Sequence, residues 1–264
     1  MPSPSLPEEL LDHIIDLLRG GRDALKNCCL VSKSWVPRTR RHLFACVLIH
    51  TSATLQLWKK TFPDPSTSPA PYAKYLFIDC PQDVTAADGE EDGWIRTFSR
   101  VVHFRVDATE TSGSLISLTP FHGFSPIIET LHVNFTATPS SRIFNLILSF
   151  PLLKNVAVVT YDGLIDYAEV LDDRHLTPLQ FHPSDPPAFT GCLELSMGTG
   201  IGPITSRLLS LQGCLHFRKL RLVLQKGNDI LLATALVGSC CATLESLYLK
   251  CAPIGVYVWR PSLR

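Results

Sequence analysis

The chain has 264 residues, 45% of them apolar and 18% charged, against a typical charged share of about 25%. That balance excludes a disordered chain, which needs low hydrophobicity and high net charge. Lys plus Arg number 24 and Asp plus Glu 24, so no global basic field exists to hold nucleic acid or an anionic membrane.

Residues 1–45 read as a compact helical unit. Leu6-Pro7-Glu8-Glu9 is a helix start, with proline at the first position and carboxylates at the positive end of the helix dipole. Leu10, Leu11, Ile14, Ile15, Leu17 and Leu18 follow at spacings of three and four, an apolar face wider than one core contact requires. Gly20-Gly21 stops this helix. A second is expected from Asp23 as N-cap, burying Leu25, Cys28 and Cys29, and Pro37 marks a break or a new start before Leu43 and Phe44. An N-terminus with Glu8, Glu9 and Asp12 and no basic stretch does not read as a signal peptide.

Residues 46–71 read as a connecting helix and a linker, since Pro63 to Pro71 holds four prolines in nine positions. From Tyr72 an apolar-x-apolar pattern recurs: Leu76/Ile78, Phe104/Val106, Leu131/Val133, Val156/Val158, Leu193/Leu195, Leu220/Leu222 and Leu247/Leu249. The first members lie 28, 27, 25, 37, 27 and 27 residues apart. All but one of these intervals fall within the leucine-rich-repeat range of about 20 to 29. The exception carries an insertion, Asp162 to Thr190. Segments of helical spacing lie between, among them Ile143 to Phe150 after Ser140-Ser141, and Leu232 to Val237 after Asn228-Asp229. Strand and helix in alternation predict an α/β solenoid over residues 72–264 with a parallel sheet, and with the array either truncated at Arg264 or closed around Trp259.

The head's motif has order and spacing: Leu6-Pro-Glu-Glu-Leu-Leu-x-x-Ile-Ile-x-Leu-Leu, then Leu25-x-x-Cys-Cys-Leu-Val-Ser-Lys-x-Trp35, then Leu43-Phe44. It resembles the F-box over about 40 residues, with Gly20-Gly21 in place of the usual Asp-Pro turn and Ser32 where many members have cysteine. Head, linker and irregular repeats together resemble the fungal F-box proteins with leucine-rich-like repeats. That resemblance implies a non-catalytic adaptor whose F-box docks on the Skp-type linker subunit of a cullin-RING (SCF-type) ubiquitin ligase while the repeats hold a target protein. On the motif positions, Leu6, Pro7, Leu10, Ile14, Leu30, Val31 and Trp35 would meet the linker subunit. A repeat scaffold that leads to no degradation is the alternative.

Enzyme signals are weak. The chain contains no Gly-x-Ser-x-Gly, His-Glu-x-x-His or Gly-x4-Gly-Lys-Ser/Thr motif. Gly198-Thr-Gly-Ile-Gly202-Pro203 lacks the third motif glycine, the lysine and the downstream acid of a phosphate loop, and reads as a turn. The cysteines pair as neighbours, Cys28-Cys29 and Cys240-Cys241, without metal-ligand gaps, and the total of nine suits free thiols in a reducing compartment, cytosol or nucleus. The run Asp88 to Asp92 lacks the alternating carboxylates of a calcium loop. No cofactor, metal, nucleic acid or membrane is expected, and no stretch is apolar enough to span a bilayer.

Strand alternation supplies the site argument. If the apolar pairs enter the core, Phe77, Asp79, His103, Arg105, Asp107, His132, Asn134, Glu194, Arg221, Tyr248 and Lys250 line the opposite, concave face. Arg105, His132, Arg221 and Tyr248 are the expected target contacts, because mixed charge with aromatic groups suits a protein or peptide.

Overall fold

The computed structural model describes residues 7–79, 93–108, 118–135, 140–160, 187–196, 201–211, 213–225 and 227–251. Three helices come first: α1 (Glu8–Leu17), α2 (Arg22–Val31) and α3 (Val36–Leu43). Pro7 occupies the N-cap of α1 rather than its first helical position, and Leu18–Gly20 forms a tight 3₁₀ turn after it. The expected cap of α2 is corrected: Gly21 takes the N-cap position in an extended conformation, and Asp23 sits inside the first turn, where its charge favours the helix dipole. Pro37 opens α3, where a missing N–H costs nothing.

The described residues then build a mixed α/β domain on an eight-stranded parallel sheet, its strands in sequence order from β1 to β8. These are β1 (Cys46–Ile49), β2 (Tyr75–Asp79), β3 (His103–Ala108), β4 (Thr130–Phe135), β5 (Asn155–Thr160), β6 (Cys192–Ser196), β7 (Lys219–Leu224) and β8 (Ser246–Cys251). Helices α4 (Ser52–Thr61), α5 (Gly93–Arg96), α6 (Ser140–Leu148), α7 (Gly202–Leu209) and α8 (Gly227–Cys240) lie in five of the connections between them, and the 3₁₀ turn Thr119–Phe121 lies between β3 and β4.

Strand β1 lies in the stretch that reads as a connector. Its Val47 and Ile49 carry the same apolar-x-apolar pattern and pair with Leu76 and Ile78. The proline-rich stretch is not a free spacer either. Ser68, Pro69 and Ala70 are buried, and α3 contacts the turn Ala70–Tyr72. Trp58 of α4 bridges the two regions, with Phe44 6.1 Å away on one side and Phe98 5.4 Å away on the other.

One row of side chains runs through the whole sheet: Val47, Leu76, Phe104, Leu131, Val156, Leu193, Leu220 and Leu247 are register partners in turn. The first seven are buried in one core with Leu55, Ile147, Ile204 and Leu236 from the intervening helices. The long interval before β6 leaves this register intact, since Val156 pairs with Leu193. Residues 161–186, most of the insertion, lie outside the described residues.

Backbone bonds align the strand starts. The carbonyl of Ala45 accepts from Lys74 and Tyr75 N–H, that of Lys74 from Val102 and His103, and that of Glu129 from Lys154 and Asn155. Asn155 extends the chain of contacts with its side chain: Nδ2 donates to Thr130 Oγ1 at 3.2 Å, and Oδ1 accepts from Cys192 N–H at 2.8 Å.

Candidate interaction surfaces

The first surface is on the helical head. Helix α1 carries two apolar stripes at spacings of four and three, and they have opposite fates. Leu11, Ile15 and Leu18 turn inward, Ile15 being fully buried, while Leu10, Ile14 and Leu17 remain exposed. Helix α2 repeats the division: Leu25 and Cys28 are buried, Leu30 is 85% exposed and Val31 65%. Pro7 is exposed as well, Trp35 is half-buried, and Leu6 lies outside the described residues.

Polar contacts hold the head's helices. Asp16 of α1 accepts from Arg38 Nε at 2.8 Å, lies 2.8 Å from His42 Nε2, and is also paired with Arg38 Nη2. Asp12 stands 3.6 Å from the same guanidinium. The Arg38 hydrogen bonds, followed by that of His42, hold the Asp16 carboxyl far below the usual carboxylate range.

The second surface is the sheet face away from the core. Its central row is Leu48, Phe77, Arg105, His132, Ala157, Glu194, Arg221 and Tyr248, each the register partner of the next. All four expected target residues therefore share one line across the sheet, but in two groups. Arg105 and His132 are adjacent on β3 and β4; Arg221 and Tyr248 are adjacent on β7 and β8.

The first group is aromatic. The Arg105 guanidinium lies 4.8 Å from the Phe77 ring centroid and forks onto Asp107, Nε at 3.0 Å and Nη2 at 2.7 Å. Tyr75 and His103 stack with centroids 4.5 Å apart and planes within 6°. Together with Leu48, Thr130 and His132 they line a shallow cavity of about 340 Å³. Burial first, and the Arg105 charge second, push the His132 imidazole below its ordinary value, which keeps it neutral at pH 7.

The second group is charged. Arg221 lies 5.5 Å from the Tyr248 ring centroid and 3.4 Å from Glu194. Lys219 and Lys250 are exposed on the same face.

Two expected solvent-facing positions are corrected. Asp107 and Asn134 have the right register, but Asp107 is 8% exposed and Asn134 5%. Asp107 is held under the Arg105 fork, and Asn134 Oδ1 is a buried acceptor with no partner among the described residues. Tyr75, Leu48 and Lys219 are additions. Extending the apolar-x-apolar frame one residue upstream identifies Tyr75 and Lys219; Leu48 required β1.

The other motif-bearing segments are described only in part. The amide of Ile201, ahead of α7, donates to Asp229 Oδ1 at 3.2 Å, so this end of the Gly198–Pro203 segment is occupied by the protein itself. Gly198, Gly200 and the run 88–92 lie outside the described residues. Among the described residues no group of three His, Cys, Asp or Glu could hold a metal, and no helix is long and apolar enough to cross a membrane. Burial pushes the Cys192 and Cys240 thiols up, away from nucleophilic character. Comparison with family models, with curated proteins and with solved structures returns no match.

Proposed function

We propose that the chain is a non-catalytic substrate-recognition subunit of an SCF-type ubiquitin ligase, acting in the cytosol or nucleus. In this reading residues 1–45 are an F-box that binds a Skp-type linker subunit and, through it, a cullin. The strand and helix units form a leucine-rich-repeat-like solenoid that holds a target protein. The observation that carries the reading is the exposure of the α1 stripe Leu10, Ile14 and Leu17 together with that of Leu30 and Val31 at the end of α2. A small head that leaves five large apolar side chains exposed has a reason to do so in an interface. Leu10, Ile14, Leu30 and Val31 fall on the motif positions assigned to the linker subunit.

The test is capture of a purified linker subunit by the full chain and by the Leu10→Asp/Ile14→Asp double variant. Both side chains are exposed, so the substitutions spare the core. A charge buried unpaired in the contact costs several kcal/mol, and about 1.4 kcal/mol is tenfold in affinity, so capture is expected to be lost. Unchanged capture overturns the reading. Ubiquitylation of a bound target in the reconstituted complex then separates degradation from a scaffold role.

A further inference from the structure

We infer that the open sheet face binds an extended segment of another protein in which an aromatic residue precedes an acidic cluster by about seven residues. The inference deepens the reading of this face as the target-holding surface and rests on it. It follows from how the sheet distributes its chemistry along one line.

At the β2–β4 end the surface is aromatic and electrically settled. Arg105 is matched by Asp107, and the Tyr75–His103 stack and Phe77 border the cavity. A ring inserted beside them meets π-faces and the flat guanidinium, contacts that favour an aromatic or apolar anchor over a charged one.

At the β7–β8 end the balance changes sign. Lys219, Arg221 and Lys250 present three cations on exposed positions, and among the described residues Glu194 is the carboxylate that meets this group, through Arg221. That excess calls for carboxylates on the partner.

Strand order sets the distance between the two ends. From the middle of β2 and β3 to the middle of β7 and β8 is five strand steps, which at about 4.8 Å each is about 24 Å. An extended chain covers about 3.3–3.6 Å per residue, so about seven residues bridge the two anchors. The segment runs across the strands, along the row from Phe77 to Tyr248.

The experiment is fluorescence anisotropy of the full chain with a labelled peptide: one Phe, a six-residue Gly/Ser spacer, then three Glu. Comparison peptides replace Phe by Ala, replace Glu by Lys, or shorten the spacer to two residues. Protein variants are Tyr75→Ala for the aromatic end and Lys219→Ala/Lys250→Ala for the basic end; these side chains are exposed, and circular dichroism checks the fold. Saturable binding is expected. Loss of either anchor, in peptide or protein, should weaken it about tenfold, and the short spacer should reduce it to that of a one-anchor peptide. Absence of saturable binding, indifference to Glu-to-Lys replacement, or indifference to spacer length overturns the inference. Preferential binding of a single-stranded oligonucleotide over the peptide also overturns it. Linker-subunit capture is measured on the same variants and should be unaffected. Failure of the ligase reading thus appears in that measurement, and failure of the peptide inference in the anisotropy.

Discussion

Asp16 and Arg38 join the first and third helices of the head through a forked contact, Arg38 Nε donating to Oδ1 at 2.8 Å with Nη2 on the second oxygen. They are 22 residues apart, and their pairing ties α1, which carries the outward stripe, to α3. Asp16→Asn removes the carboxylate while keeping the shape. We expect faster amide exchange in α1 and weaker linker capture with the sheet intact, read by hydrogen exchange.

The pH dependence of stability has two separate windows. His132 and His122 are both pushed below their ordinary value of 6.5 by burial, so the unfolded chain binds protons first. Stability is fully present above about pH 6.5 and falls as the pH drops below it. The Asp16 carboxyl is depressed, so its contribution is present above the usual 3.8 and is lost only as the pH falls toward its folded value. Thermal unfolding from pH 7.5 to 2 should show the first decline and the onset of the second. His132→Gln should shrink the first and Asp16→Asn the second; a flat profile between pH 7.5 and 5 contradicts the histidine assignment.

Asp229 is a buried carboxylate that stitches two units. It is 2% exposed, and its oxygens accept from Ile201 N–H at 3.2 Å and Gln225 N–H at 2.7 Å. Asp229→Ala leaves these two buried or half-buried amides without that acceptor. The expected cost is about 1–3 kcal/mol in denaturant unfolding, with Asp229→Asn recovering part of it.

Gly191 sits where β6 enters the sheet. A Cβ there would stand 2.2 Å from Asn155 Oδ1 and 2.8 Å from the Lys154 carbonyl. Alanine must therefore displace the Asn155 side chain and break its bond to Cys192 N–H. Gly191→Ala should destabilise the protein by about 1–3 kcal/mol, and Asn155→Ala in the same background should add less than it costs alone, a coupling that a double-mutant cycle reads.

Leu30 is the position at which the proposed linker contact can be tested apart from stability. Being 85% exposed, Leu30→Glu should change unfolding free energy by no more than about 0.5 kcal/mol while weakening linker capture. A core change makes the opposite contrast. Phe104→Ala, within the continuous buried row, should cost about 3–5 kcal/mol and leave the head's exposed stripe untouched.

The sequence by itself determined the parallel ladder from β2 to β8, because an apolar-x-apolar pair is a local signature of a strand buried on one face and near-constant spacing favours pairing with the chain neighbour; β1 emerged only from the structure. It also determined which side chains share the open row from Phe77 to Tyr248, since alternation follows from backbone geometry alone. Tertiary structure decided the rest. The sequence pattern cannot divide the apolar positions of α1, for Leu10 and Leu11 are equally apolar; the assembly of the head's helices buries Ile15 and leaves Ile14 exposed. The proline-rich stretch reads as a spacer by composition, yet Ser68, Pro69 and Ala70 are buried and the turn Ala70–Tyr72 contacts α3. Asp107 and Asn134 are polar positions on an outward register, and only the neighbouring strands and the Arg105 fork bury them. Burial and partnering depend on what arrives from distant parts of the chain, and local pattern carries no record of it.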